Sequence, residues 1–346
     1  MIALMAGHEL MAQSEIKDKF KFSGYGELYY SYDHSRPANH EKAAFLYNHK
    51  RHNELNANLL VAKASYQDSG VRANLALMFG NYAEYNLASE PVWAQHIYEA
   101  SIGVKLSKKE NIWLDAGIMP SHIGFESAIG ADCWTVTRSI LAENSPYYET
   151  AIKLGYTNKK EKISVSVLLL NGWQKIKKPQ GIQRPSFGMQ LYCRASEKLV
   201  INYSNFIGTD KPDSVNATRI FHNIYGQYTP TEKLGIIIGF DAGRDRANTG
   251  SYGIWYSPAI IFRYRIRPRL MTAIRAEHYN DKKQIIILTG SANGFQTSGY
   301  SANIDYQINK TAMFRVEGKL YKSRDKIFSN NSGDNISVTG CLTIKL

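Results

Sequence analysis

Residues 334–346 read DNISVTGCLTIKL, and they alternate without a break. Ile336, Val338, Gly340, Leu342, Ile344 and Leu346 fall on one side, while Asn335, Ser337, Thr339, Cys341, Thr343 and Lys345 fall on the other. In a β-strand successive side chains point to opposite faces. A period of two therefore means a strand with one apolar and one polar face. Residues 300–308 repeat the scheme, with Tyr300, Ala302, Ile304, Tyr306 and Ile308 against Ser301, Asn303, Asp305 and Gln307. So do residues 314–320, where Phe314, Val316, Gly318 and Leu320 alternate with Arg315, Glu317 and Lys319.

Worked backwards along the chain, the same signal predicts sixteen strands. Their spans are 20–32, 51–66, 70–85, 96–106, 110–120, 147–157, 161–172, 185–195, 198–208, 217–229, 233–244, 252–266, 269–280, 295–308, 311–323 and 334–346. Each is long enough to cross hydrocarbon as a tilted strand. In the second span the apolar set slips from Leu55, Ala57, Leu59 and Val61 to Ala62, Ala64 and Tyr66, which predicts a β-bulge near Val61–Ala62.

Tight connections near Ser69–Gly70, Ser107–Glu110, Asn158–Glu161, Ser196–Glu197, Pro230–Glu232, Arg267–Pro268 and Asn309–Lys310 alternate with long ones, of which 121–146 is the longest. Short turns alternating with long loops are the layout of an outer-membrane barrel. The expected fold is all-β: an antiparallel up-and-down transmembrane barrel of about sixteen strands, with both termini periplasmic. Phased this way, the outward face should be free of Asp, Glu, Lys and Arg, because a basic residue at mid-bilayer costs about 2–4 kcal/mol. Tyr30, Tyr32, Tyr82, Tyr98, Tyr148, Tyr156, Tyr228 and Tyr264 stand at strand ends, where aromatic girdles belong.

Composition agrees. The 346 residues include 23 tyrosines and 26 glycines, and no run of eighteen apolar residues offers a spanning helix. The net charge of +12 is dispersed: the Lys pairs at 108–109, 159–160, 177–178 and 282–283 fall between strands, and no nucleic-acid motif accompanies them. Three cysteines, Cys133, Cys193 and Cys341, lie far apart without metal spacing and read as unpaired small side chains. Residues 1–13, MIALMAGHELMAQ, are mostly apolar and read as a signal-peptide remnant, leaving 14–346 as one barrel domain.

Sixteen strands enclose a lumen wide enough for water. The inward phase predicts pore-lining Arg72, Lys105, Asp115, Lys153 and Arg194, and further along Arg263, Arg265, Arg275, Glu277, Arg315, Glu317 and Lys319. The basic members on the twelfth, thirteenth and fifteenth strands would form a stripe, partly offset by acids, that favours anions mildly. Residues 121–146 carry too many apolar groups for a solvated loop. They are expected to fold into the barrel as a constriction, with Glu126, Asp132, Trp134, Arg138 and Glu143 at the narrowing; the alternative is a cap on the outer surface.

Catalysis finds little support. His49, His52 and Glu54 could assemble a metal site on paper, and His222 or His278 at a strand end would need a serine partner that the sequence does not indicate. No metal and no cofactor is expected.

Beyond this reading, the stretches NELNANLLVAKASYQ (53–67), RANLALMFGNYAEYN (72–86), WLDAGIMPSHIGFESAIG (113–130), TRSILAENSPYYETAIKL (137–154) and NGW (171–173) resemble the OmpL-like β-barrel porin family. IGTDKPD (207–213), LGIIIGFDAG (234–243), WYSPAIIFRY (255–264) and NGFQTSGYSANIDYQ (293–307) continue the resemblance to the C-terminus. It implies an outer-membrane porin of a type found mainly in Bacteroidetes, and it brings no assigned ligand residues. The expected function is passive diffusion of small hydrophilic solutes or ions through a water-filled barrel. The rival is a non-conducting scaffold or adhesin barrel that presents its loops. Expected partners are outer-membrane lipid, the diffusing solutes or ions, the barrel-assembly machinery and a possible homo-oligomer, with no nucleic acid. One departure concerns assembly: the chain ends in Leu346, where such barrels commonly end in an aromatic residue.

Overall fold

The computed structural model describes residues 19–247 and 250–346. The proposed signal remnant, 1–13, lies outside the described residues. Sixteen antiparallel strands close on themselves in sequence order. They are β1 (Phe20–Asp33), β2 (Leu55–Gln67), β3 (Val71–Phe79), β4 (Ile97–Lys105), β5 (Asn111–Pro120), β6 (Tyr148–Thr157), β7 (Ile163–Leu170) and β8 (Ser186–Arg194). Then come β9 (Leu199–Gly208), β10 (Arg219–Tyr228), β11 (Leu234–Arg246), β12 (Tyr252–Arg267), β13 (Leu270–Asp281), β14 (Phe295–Gln307), β15 (Ala312–Ser323) and β16 (Asp334–Lys345). Closure pairs β1 with β16 from Tyr25↔Lys345 to Asp33↔Ser337. It leaves no open sheet edge, which is what lets a sheet sit in lipid.

The alternation dictates the two faces. In β16 every outward residue from Ile336 to Ile344 is apolar or glycine, and every inward residue from Asn335 to Thr343 is buried. The wall is uneven in height. Strands β3–β10 have 8 to 10 residues, whereas β11–β16, β1 and β2 have 12 to 16.

Four expectations are corrected. The bulge in β2 lies earlier: the register with β1 skips Asn58, so Leu59 and Val61 turn inward. The third strand stops at Phe79, and residues 82–86 form a single π-turn that packs inward. Tyr82, Tyr98 and Tyr148 leave the girdle and join an interior cluster, because the long loops need apolar support beneath them. Basic residues also reach the outward phase: Arg244, Arg246 and Lys322 take it at the loop end of their strands, where charge can reach water.

Candidate functional site: the barrel interior and its inserted loop

The connection after β5 runs into the barrel and crosses its height. It leaves at the loop end beyond Pro120, and Asp132 reaches the turn end, where it meets Lys345 Nζ at 2.5 Å. Apolar spacing drives the insertion. Ile123, Trp134, Val136, Ile140 and Leu141 are all buried. Two glycines of β11 make room: a Cβ at Gly235 would overlap the Trp134 ring, and one at Gly239 would overlap Phe125. Arg263 stacks on Trp134 with its guanidinium 4.3 Å from the ring centroid. A short helix, α1 (Ile140–Glu143), is capped by Ser139 Oγ, which accepts from the Ala142 N–H.

Polar contacts then fix the far part of the loop to the β13–β15 wall. Arg275 on β13 is the hub, 2.9 Å from Glu317 and 3.5 Å from Glu126 and Glu277. It also donates to Thr135 Oγ1 at 2.8 Å and to the Thr137 carbonyl at 2.7 Å. Glu317 in turn accepts the Thr137 N–H at 2.7 Å, and Glu277 accepts that of Ile140 at 2.6 Å. Lys319 pairs with Glu277 at 2.9 Å and donates to the Arg138 carbonyl. Arg315 forks onto Asp305 and donates to the carbonyls of Gly130 and Cys133. Among the described residues Arg138 donates only to loop carbonyls, those of Ser127, Val136 and Ala128. It is the loop's internal brace.

A second loop, residues 34–54, locks the first. Phe45 inserts between Phe295, Tyr321 and Phe328. The N–H groups of Tyr47 and Asn48 donate to Glu143. Burial holds the Glu143 carboxyl above its usual value, and those two N–H groups oppose the rise. His49 is spent on Glu27 at 2.9 Å, and burial lowers its affinity for a proton.

The sequence-expected residues therefore divide. Arg275, Glu277, Arg315, Glu317 and Lys319 point inward, but each is at most 5% exposed and meets the loop or its wall neighbours instead of open water. This corrects the basic stripe on β13 and β15: its charges are cancelled by carboxylates and carbonyls. Arg263 and Arg265 of the same stripe have no carboxylate partner among the described residues. They line a cavity of about 620 Å³ at the turn end, together with Lys198 and Lys233 and with the carboxylates of Glu197 and Glu232. On the opposite wall Arg72 forks onto Asp115 at 2.5 and 2.6 Å over Trp113, and Lys63 pairs with Glu99 at 2.5 Å. Lys105 and Lys153 are half-buried with no carboxylate partner among the described residues, and Arg194 is exposed at the turn end. Among the loop residues, Glu126, Trp134, Arg138 and Glu143 are buried in packing, while Asp132 is exposed.

Sequence reasoning missed His122, the anchor at the base of the loop. Its Nδ1 lies 2.6 Å from Glu149 and its Nε2 2.9 Å from the Asn205 carbonyl. Burial opposes the charged ring, yet attraction to Glu149 and these two acceptors together hold its pKa above the usual value. The signal was one histidine at the strand–loop junction, which alternation cannot mark.

The paper metal site comes apart. His49 faces Glu27, His52 Nδ1 accepts the Asp33 N–H, and Glu54 forks onto Arg51. His278 does find a serine, Ser298 Oγ at 2.9 Å, contrary to the sequence reading. No carboxylate or amide orients the ring on its far side among the described residues, so the pair is a cross-strand hydrogen bond. The three cysteines are free.

Solved structures similar to this chain are porins and channels. One is an anion-selective porin from Comamonas acidovorans, 8% identical with a TM-score of 0.62, covering 94% of this chain and 99% of the other. Another is the outer-membrane channel DcaP of Acinetobacter baumannii, 12% identical with a TM-score of 0.60, covering 94% and 97%. A third is OmpT of Vibrio cholerae in a trimer form, 8% identical with a TM-score of 0.55, covering 94% and 99%. At such identities the likeness speaks for the fold. No curated protein sequence matches the chain. Residues 19–345 match the family described as "Putative beta-barrel porin-2, OmpL-like", and the chain belongs to that family of outer-membrane β-barrel porins.

Proposed function

We propose that solutes cross this porin by passive diffusion past the part of the interior that the inserted loop leaves free, beside the turn-end halves of β3–β8. The observation that carries this reading is the difference in exposure between inward side chains. Those under the loop are dry, whereas Arg72, Lys105, Lys153 and Tyr192 are half-buried on the inward phase and have no contact with the inserted loop among the described residues. In this reading the short-turn end is periplasmic, and Arg263, Arg265, Lys198 and Lys233 outweigh Glu197 and Glu232 there, which gives that mouth a net positive field. A positive mouth concentrates anions, so mild anion preference survives the neutralisation of the remaining stripe. The anion selectivity named for the Comamonas porin is compatible with this. The trimer form of the Vibrio protein supports self-association here too. The contacts made by the loop are structural, and none constitutes catalytic machinery.

Single-channel recording of purified, refolded protein in a planar bilayer tests the pathway. Stepwise openings with an anion-leaning reversal potential are expected. Folded protein that never conducts would leave the loop-presenting scaffold in place. The clamp of residues 34–54 over the inserted loop is the feature favouring that rival.

A further inference from the structure

Six loops converge at the loop end on a second cavity, of about 570 Å³. Its chemistry differs from that of the turn-end cavity. The charges that reach it are largely used up. Arg219 pairs with Asp210 at 2.9 Å and Asp245 at 3.0 Å. Glu143 is held by the backbone of residues 47–48. Asp210 also accepts the Trp173 N–H, and Lys175 donates to Ser89 Oγ at 3.0 Å.

Uncharged groups remain free. Asn86 is only 6% exposed, yet its Nδ2 has no acceptor among the described residues. Asn144 spends its Nδ2 on the carbonyls of Phe45 and Ile140, which leaves Oδ1. Gln174 spends Oε1 on the Tyr147 N–H, which leaves Nε2. Beside these amides stand three aromatic rings, Tyr47, Tyr85 and Trp173. Trp173 is fixed in place by the Arg219 guanidinium 5.0 Å from its centroid and by the edges of Phe206 and Phe221. Donors and acceptors without charge, set among aromatic rings in a pocket of ligand size, match a molecule that carries hydroxyls and C–H faces together.

We propose that this vestibule binds a neutral polyhydroxylated solute of the sugar class, held by the Asn86, Asn144 and Gln174 amides against Tyr47 and Trp173, before it enters the barrel. A charged ligand is disfavoured because Arg219, Asp210 and Glu143 already have partners; Lys175, bonded to Ser89 Oγ, is the one cation lining the cavity without a carboxylate partner among the described residues. Burying a second charge without one costs more than it returns. The inference deepens the porin reading, resting on it for the direction of travel and not for the binding itself.

Equilibrium titration separates the two. Purified full-length protein, folded in detergent, is titrated with maltose by calorimetry and by tryptophan fluorescence, with glycerol and gluconate as controls. Saturable binding of maltose is expected, with glycerol and gluconate failing to saturate. The double variant Asn86→Ala/Asn144→Ala should weaken it about tenfold or more, as befits two lost hydrogen bonds. Its folding is checked by heat-modifiable gel migration. Absence of saturable maltose binding to wild-type protein would overturn the proposal, as would gluconate binding equally well. Conductance without maltose binding would sink this inference alone. Maltose binding without conductance would sink the diffusion pathway alone.

Discussion

The two sides of this barrel are built from the same alternation and end up doing different work. From β11 round to β2 the strands are long, and Arg275, Glu277, Arg315, Glu317 and Lys319 on β13 and β15 are buried under the inserted loop, each salt-linked to a neighbour. From β3 to β10 the strands are short, and several inward polar groups remain in reach of water. Both faces read as polar in the sequence. What separates them is a covering layer. A carboxylate or guanidinium under protein must find a partner or pay heavily for desolvation, whereas one that faces a water-filled lumen need not. The paired network on β13–β15 is thus the price of seating a loop there. Unpaired Lys153 and Lys105 are what an uncovered wall can tolerate.

Removing the cover should have the largest effect. Deleting residues 127–140 should raise single-channel conductance several-fold, since the loop spans the barrel's height. Unchanged conductance would mean the passage does not run beside the loop. Next comes the hub. Arg275→Met leaves Glu126, Glu277 and Glu317 crowded around Lys319, and breaking such a buried pair costs about 3–5 kcal/mol. The partner experiment is Lys153→Met, on the uncovered wall, expected within about 0.5 kcal/mol. Heat-modifiable unfolding in detergent compares them, and equal losses would erase the distinction between the walls.

A gentler probe is the notch. Gly239→Ala pushes a methyl into Phe125, and overpacking of this kind costs about 1–3 kcal/mol. Unfolding transitions and conductance noise should both report a loosened loop, and a silent substitution would argue that the loop is not seated on β11. Selectivity distinguishes paired from unpaired charge. Arg263→Gln/Arg265→Gln should shift the reversal potential toward cations in a salt gradient. Arg72→Gln/Asp115→Asn should shift it less, because it removes a pair whose charges already cancel. The reverse order would place the selective step on the other wall.

The smallest effect concerns pH. The folded-state pKa of His122 is raised above its unfolded value of 6.5. The stability it contributes is therefore complete below that value and is lost as pH rises through the folded one. Wild-type protein should unfold more readily on the alkaline side of this window, and His122→Asn should flatten the dependence. An unchanged slope in the variant would assign it to another group.

Reading the chain without coordinates recovered nearly every strand, because a membrane barrel imposes one rule at every step. A residue either meets lipid or it does not, and the rule has period two. Hence β16 was legible from Ile336 to Leu346, and the alternation of turns and loops fixed an even, antiparallel closure. The rule failed wherever the chain left the repeat. One skipped residue at Asn58 reset the phase of β2, and Tyr82, Tyr98 and Tyr148 looked like girdle residues until loops were laid above them.

The inserted loop shows the same limit. Its apolar content announced that 121–146 goes inside, and composition alone carried that much. Which wall it would meet was set by Gly235 and Gly239, a hundred residues away, and by whether Glu126, Thr135 and Thr137 could reach Arg275. Those are pairings at large sequence separation, and no local pattern encodes them. The sequence by itself determined a closed barrel with a polar interior. The tertiary structure alone decided which of its inward charges face protein and which face open interior, since desolvation depends on what lies opposite a side chain and not on its place in the repeat.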